Sequence, residues 1–100
     1  MDLDSLELTL TADVRREAKR LVALRRDFHR HTELQWEERH AQARILEELA
    51  DAGIQARPMA DTGVVAEIAG QEAGLTLLLR GDMDALPIQE QSGHEWRDAA

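Results

Sequence analysis

The chain has 100 residues, which is enough for one small domain or part of one. Its apolar fraction of 43% and charged fraction of 32% are typical of a globular protein and exclude a disordered chain. The net charge of −8 disfavours binding to nucleic-acid phosphates or to an anionic membrane. The absence of cysteine excludes a thiolate metal site in these residues, and the first ten residues lack the basic start of a signal peptide. No apolar run approaches the roughly 20 residues of a membrane span, so we expect a soluble cytoplasmic protein.

The first half of the chain predicts two helices. Residues 1–10 have no clear period and are expected to form a lead-in, followed by one incomplete domain over residues 11–100. A first helix is expected to begin at Thr11 or Asp13, either of which can cap an N-terminus, and to extend to Phe28 along one apolar stripe. A second is expected over residues 34–52, ending at Gly53 as the left-handed residue that often follows a helix.

The second half predicts strands. Residues 54–59 indicate an extended segment, with Pro58 suited to a sheet edge, and Asp61–Gly63 indicate a turn. Residues 64–69 alternate with period two, and the apolar run over residues 75–79 fits a strand buried on both faces. A short glycine-bounded connection between these two runs predicts that they form a hairpin. The element order therefore predicts an α/β fold in which two N-terminal helices pack on a partial mixed sheet.

Two carboxylates, Asp82 and Asp84, directly follow the predicted buried strand. Ligands bind just beyond the carboxyl ends of strands in open α/β sheets, and residues two apart on extended backbone point to the same side. Such a pair can ligate a cation or orient a metal-bound histidine. Asp-x-Asp after a strand is equally ordinary turn chemistry, and spacing alone favours that interpretation.

The four histidines form no recognisable metal motif. His29 and His31 are two residues apart at a predicted helix end, and His40 is expected to be an exposed helical residue. None forms His-x-x-x-His on one face. A structural role is expected for His29 and a solvated position for His94.

Three blocks of sequence resemble the aminoacylase/carboxypeptidase-like metallopeptidases, and within them the amidohydrolase branch of hippurate, N-acyl-amino-acid and auxin-conjugate hydrolases. The blocks are RRDFHRHTEL at 25–34 with WEE at 36–38, TGVVA at 62–66, and LRGDMDALPI at 79–88. They occur in the family's order and approximate spacing. Thr32 is one departure, because the family usually has proline there, and it should loosen the turn without affecting the chemistry.

The resemblance implies a two-domain homodimeric enzyme that hydrolyses the amide bond of N-acyl amino acids or similar conjugates at a di-metal centre of zinc, manganese or cobalt. In the wider family the residue matching Asp82 is often a histidine metal ligand, whereas the amidohydrolase branch has aspartate there. Asp84 matches the acid that orients that ligand. Asp84 and Asp82 are therefore the expected catalytic residues, and neither is assigned as a metal ligand.

The metal ligands of the amidohydrolase branch would come from a Cys-Gly-His segment, a Glu-Glu pair and later histidines. The family segments that hold these ligands are expected to lie outside this sequence, so we expect an N-terminal fragment without the dimerisation domain, inactive alone and binding no metal tightly. Two alternatives stay open: one half of a split enzyme completed by another chain, or a small noncatalytic interaction module. The family's sheet uses later strands to cover residues 75–79, so this apolar run is expected to be exposed in the fragment.

Overall fold

The computed structural model describes residues 2–87, 93 and 94, and in that part of the chain it has three helices followed by a β-hairpin. The helices are α1 (Leu3–Arg16), α2 (Ala18–Arg30) and α3 (Arg39–Asp51), and the strands are β1 (Ala56–Met59) and β2 (Gly63–Ala66). The α/β class is confirmed. The described sheet is a two-stranded antiparallel hairpin rather than a mixed sheet.

The helix α1 begins at Leu3, eight or ten residues before the expected start at Thr11 or Asp13. Asp2 caps it, because its side chain accepts a 2.7 Å hydrogen bond from the Ser5 amide. Residues 3–10, which were expected to form a lead-in before the first helix, are therefore helical. The single long helix predicted to reach Phe28 is divided at Glu17, whose amide bonds to the Val14 carbonyl three residues back, as in a tight last turn.

The helix α3 begins five residues later than predicted and ends one residue before the predicted end. Residues 35–38 form a turn instead of helix, with Trp36 at φ +68°. The side chain of Glu38 bonds to the Trp36 amide and holds that turn. At the other end Gly53 has φ +76°, a conformation that favours glycine after a helix.

The hairpin joins different segments from those predicted. Strand β1 pairs with β2, with Ala56 opposite Ala66 and Met59 opposite Gly63. Gly63 is tightly placed, since a Cβ there would lie 2.7 Å from the Met59 carbonyl oxygen. The predicted pairing of residues 64–69 with residues 75–79 was wrong, because residues 75–79 form no strand and their leucines are exposed.

The packed centre of the molecule is small. Helix α3 packs on both strands, and the buried residues in the described part are Ala41, Glu38 and Thr62. The radius of gyration is 16.5 Å, above the roughly 13 Å of a compact 100-residue domain. No helix in residues 2–87 is both long and apolar enough to cross a membrane. Ile88, the last residue of the third family-like block, lies outside the described residues.

Candidate functional site

The junction of α2 and α3 brings one carboxylate and two imidazoles together. Asp27 lies near the end of α2, and its Oδ2 is 2.9 Å from Nε2 of His40 in the first turn of α3. His31 follows Asp27 by four residues, which places both on one face, and its Nδ1 is 3.3 Å from Asp27 Oδ1. The two ring centroids are 4.3 Å apart. We call Asp27, His31 and His40 the junction cluster.

Charge around the junction cluster favours the ionised form of Asp27. The hydrogen bond from His40 is the main cause that lowers the pKa of the Asp27 carboxyl below its ordinary value, and it outweighs partial burial. The guanidinium of Arg44 adds to this effect, with Nε 3.7 Å from Asp27 Oδ2. Arg44 is itself paired with Glu48 at 2.8 Å, so its charge is partly neutralised. Asp27 is consequently a carboxylate at neutral pH.

Glu33 precedes α3 by six residues, and its side chain caps the start of that helix. Its Oε2 accepts a 2.8 Å hydrogen bond from the His40 amide, and its Oε1 accepts a 2.8 Å bond from the Ala41 amide. These are among the amides at a helix start that have no partner within the helix. One carboxylate therefore fixes the direction of α3 relative to the end of α2.

Glu38 connects α3 to the hairpin. Its Oε1 accepts a 2.6 Å bond from the Trp36 amide, and its Oε2 accepts a short hydrogen bond from the hydroxyl of buried Thr62. The bond from Thr62 is the main cause that holds the pKa of Glu38 below its ordinary value, despite desolvation. Gln42 adds a second link, since its Nε2 donates to the carbonyls of Asp61 and Gly63.

A groove of about 300 Å³ lies between the α2–α3 junction and the segment 82–85. The Ala85 amide donates a 2.7 Å hydrogen bond to the Glu33 carbonyl and so fixes the end of this segment beside the junction. The residues around the groove are Phe28, His29, His31, Thr32, Ala41, Ile45, Asp82, Met83, Asp84 and Ala85. The groove thus has an apolar side from the helices and an acidic side from the segment.

Both predicted catalytic residues line this groove. The Asp82 side chain is largely exposed and accepts a 2.8 Å bond from Arg80. Asp84 is also exposed. Their catalytic role stays a prediction. His29 lines the same groove, and His94 is exposed as expected.

Neither the junction cluster nor the hydrogen bonds of Glu33 and Glu38 were predicted from the sequence. His40 was expected to be exposed, but it is half-buried and bonded to Asp27. The spacing of Asp27 and His31 was a usable signal, since residues four apart on a helix are neighbours. No local pattern indicates that His40 meets them, because this contact depends on the angle between two helices.

The structure therefore defines an α/β protein with an acidic groove beside a helix junction. No protein-family model matches the chain. Over 76 residues it is 47% identical to an N-acetyl-L-cysteine deacetylase of Bacillus subtilis, an alignment that covers 75% of the chain and 18% of that relative. An N-acetylcysteine deacetylase of the same species is 44% identical over 75 residues, which are 73% of the chain and 20% of the relative.

The chain is also similar to a solved structure. The chain matches a dinuclear metal-binding peptidase of the M20 family from Bacillus subtilis with a TM-score of 0.78 at 38% identity, over 82% of the chain and 24% of that protein. The chain therefore belongs to the family of metallopeptidases and amidohydrolases that its sequence blocks resemble. It spans about a fifth of the length of the curated relatives it matches.

The family binds divalent metal, but among the described residues the carboxylates along the groove do not converge with other ligands on one point. Within residues 2–87, 93 and 94, the group of three side chains whose ligand atoms converge is Asp27, His31 and His40, and it includes neither Asp82 nor Asp84. Catalytic zinc requires about three protein ligands with an open position. The described residues around Asp82 and Asp84 therefore do not fit a metal centre by themselves.

Proposed function

We propose that this chain supplies part of a metal-dependent amidohydrolase that cleaves the amide bond of an N-acyl amino acid or a similar conjugate. The observation that carries the proposal is the position of segment 82–85, which the Ala85–Glu33 hydrogen bond holds against the α2–α3 junction. This places two carboxylates along one groove with an apolar side. The names of the two deacetylases support the same substrate class.

In this proposal Asp84 is a positioning residue that orients a histidine or water of the complete centre. Asp82 contributes negative charge to the same groove. The family resemblance implies that a divalent metal would supply polarisation of the amide carbonyl and an activated water, with a glutamate as general base. The metal would be zinc, manganese or cobalt. A homodimer and a cytoplasmic location complete the proposal and rest on the resemblance and composition.

A segment exchange tests the proposal. The matching 76 residues of the Bacillus subtilis N-acetyl-L-cysteine deacetylase are replaced by those of this chain, and hydrolysis of N-acetyl-cysteine is followed with added Zn²⁺, Mn²⁺ or Co²⁺. We expect an active chimera whose kcat falls about 10–100-fold in Asp84→Asn, because removing groups that orient metal ligands costs about that much activity. Asp82→Asn should cost less.

The control is Asp51→Asn, which removes a carboxylate from the exposed end of α3. It should leave kcat unchanged. A folded chimera without activity, or an Asp84→Asn chimera as active as the Asp51→Asn control, would contradict the proposal. The 100-residue chain alone is expected to show no turnover, and turnover by it alone would overturn the fragment interpretation.

A further inference from the structure

Beyond the proposed hydrolase function, we propose that the junction cluster of Asp27, His31 and His40 is a binding site for one divalent transition-metal ion, of the Zn²⁺ class. Neither the sequence blocks nor the catalytic proposal uses these three side chains together. Two imidazoles and one carboxylate form a ligand set that suits Zn²⁺, and imidazole also suits Cu²⁺ and Ni²⁺. The site would hold an ion at the contact between α2 and α3.

The distances are already close to those of a metal site. Ligand atoms of the three side chains all lie within 4.8 Å of one another. Zinc binds nitrogen and oxygen at about 2.0–2.2 Å, so ligands of a tetrahedral ion are about 3.3 Å apart. Asp27 carboxylate oxygens lie 2.9 Å from His40 Nε2 and 3.3 Å from His31 Nδ1. Side-chain movements of about 1 Å would therefore complete three coordination bonds.

The charge balance also favours a cation. Asp27 is ionised at neutral pH, because its pKa lies below the ordinary value. Arg44 is a competing positive charge, and its pairing with Glu48 at 2.8 Å and Glu47 at 3.5 Å reduces the repulsion. Metal binding must displace the His40–Asp27 hydrogen bond and the 3.0 Å contact of His31 Nδ1 with the Asp27 carbonyl.

The site is accessible to an ion and leaves positions for water. The exposed fractions are 48% for the His31 side chain, 36% for His40 and 29% for Asp27. Three protein ligands on one side leave a fourth position open. This is the arrangement of a zinc site with one exchangeable ligand.

Calorimetric titration of the 100-residue chain with Zn²⁺ at pH 7.5 is the first test, with Co²⁺ added in parallel to detect the visible absorption of a tetrahedral site. We expect saturable one-to-one binding. His31→Gln and His40→Gln should each weaken it at least about tenfold, since even the loss of a residue that only supports a ligand costs 10–100-fold. His94→Gln is the matched control and should bind Zn²⁺ as the wild type does, because His94 is an exposed histidine outside the cluster.

A second measurement needs no variant and so is independent of any folding defect. In ¹H–¹⁵N spectra of the imidazole nitrogens, one equivalent of Zn²⁺ should shift the rings of His31 and His40 and leave that of His94 unchanged. The absence of saturable binding would overturn the proposal. So would equal losses in His94→Gln and His40→Gln, which would indicate adventitious binding by surface histidines.

Discussion

Two parts of this chain that contain apolar residues differ in how they pack: one is packed and the other is exposed. The first, residues 33–66, is the α3–hairpin unit, in which α3 packs on both strands and Glu33, Glu38 and Gln42 tie the helix to its surroundings. The second, residues 75–79, is the leucine segment, which has the more apolar sequence but forms neither helix nor strand. Leu75 is fully exposed and Leu77 is 83% exposed. Apolar composition alone therefore does not produce a packed element.

The difference lies in the partners that each segment has. Backbone amides and carbonyls of a strand need neighbours on both edges, or water, and its side chains need a second layer to cover them. For the hairpin, helix α3 is the second layer that packs on both strands. Within the described residues, no other strand pairs with the leucine segment. An exposed run of this kind is typical of a surface that another part of a sheet covers.

The largest difference is expected between a methyl group added at Gly63 in the hairpin and one added at Gly74 beside the leucine segment. Gly63→Ala should lower the free energy of unfolding by about 3 kcal/mol, because its Cβ would lie 2.7 Å from the Met59 carbonyl oxygen and the backbone must move. Gly74→Ala, beside the leucine segment, has nothing within 4 Å of the new Cβ and should change stability by less than about 1 kcal/mol. Urea unfolding followed by circular dichroism measures both. Equal effects would contradict the distinction between the two parts.

The next largest effect concerns the cap of α3. Glu33→Ala removes the acceptor of the His40 and Ala41 amides and should cost about 2 kcal/mol, since partly buried donors lose a charged partner. Glu37→Ala is the matched control, because Glu37 is exposed and should be within about 0.5 kcal/mol of the wild type. Denaturant midpoints of the two variants give the comparison. Similar values would show that the cap adds nothing to the stability of the α3–hairpin unit.

A smaller effect is expected where α3 meets the hairpin turn. Thr62→Val removes the hydroxyl that donates to Glu38 and should lower Tm by about 5 °C at pH 7. Because the folded-state pKa of Glu38 is lowered, its contribution is present above the ordinary value of 4.5 and is lost as pH falls through the folded-state value. The wild type should therefore lose stability below pH 4.5 more steeply than Thr62→Val. Parallel plots of Tm against pH would refute this link.

The smallest effect on stability is expected in the leucine segment. Leu77→Lys should change the free energy of unfolding by less than about 0.5 kcal/mol, because the side chain is already in solvent. It should reduce self-association, since charge on an exposed apolar run opposes edge-to-edge pairing. Light scattering on a concentration series measures association, and urea unfolding measures stability. A large loss of stability would mean that residues 75–79 are packed in the folded chain.

Much of the local structure could be predicted from the sequence. The two long helical regions, the position of Gly53 after α3 and the turn at Asp61–Gly63 follow from periodicity and from turn residues. The helix start at Leu3 was missed because the Asp2 cap decides it and apolar spacing does not, and the division at Glu17 was missed because no spacing pattern marks it. The family was also recognisable, since its blocks are contiguous segments of sequence.

Only one part of the candidate site, the groove with its two carboxylates, could be predicted from the sequence. Asp82 and Asp84 stand out because they follow an apolar run, and the structure places both along one groove. The junction cluster could not be found in the same way. Asp27 and His31 are neighbours on one helix, but His40 joins them only because Glu33 and the Trp36 turn set the direction of α3.

Local sequence patterns specify where the main helical regions lie, the turn at Asp61–Gly63, the acidic character and the family, because each depends on residues close together in the chain. The tertiary structure decided which strands pair, that the leucine segment stays uncovered, and that Asp27, His31 and His40 meet. These outcomes depend on contacts between residues far apart in sequence. Such contacts are set by the packing of whole elements and by the available partners, which no local pattern of residues specifies.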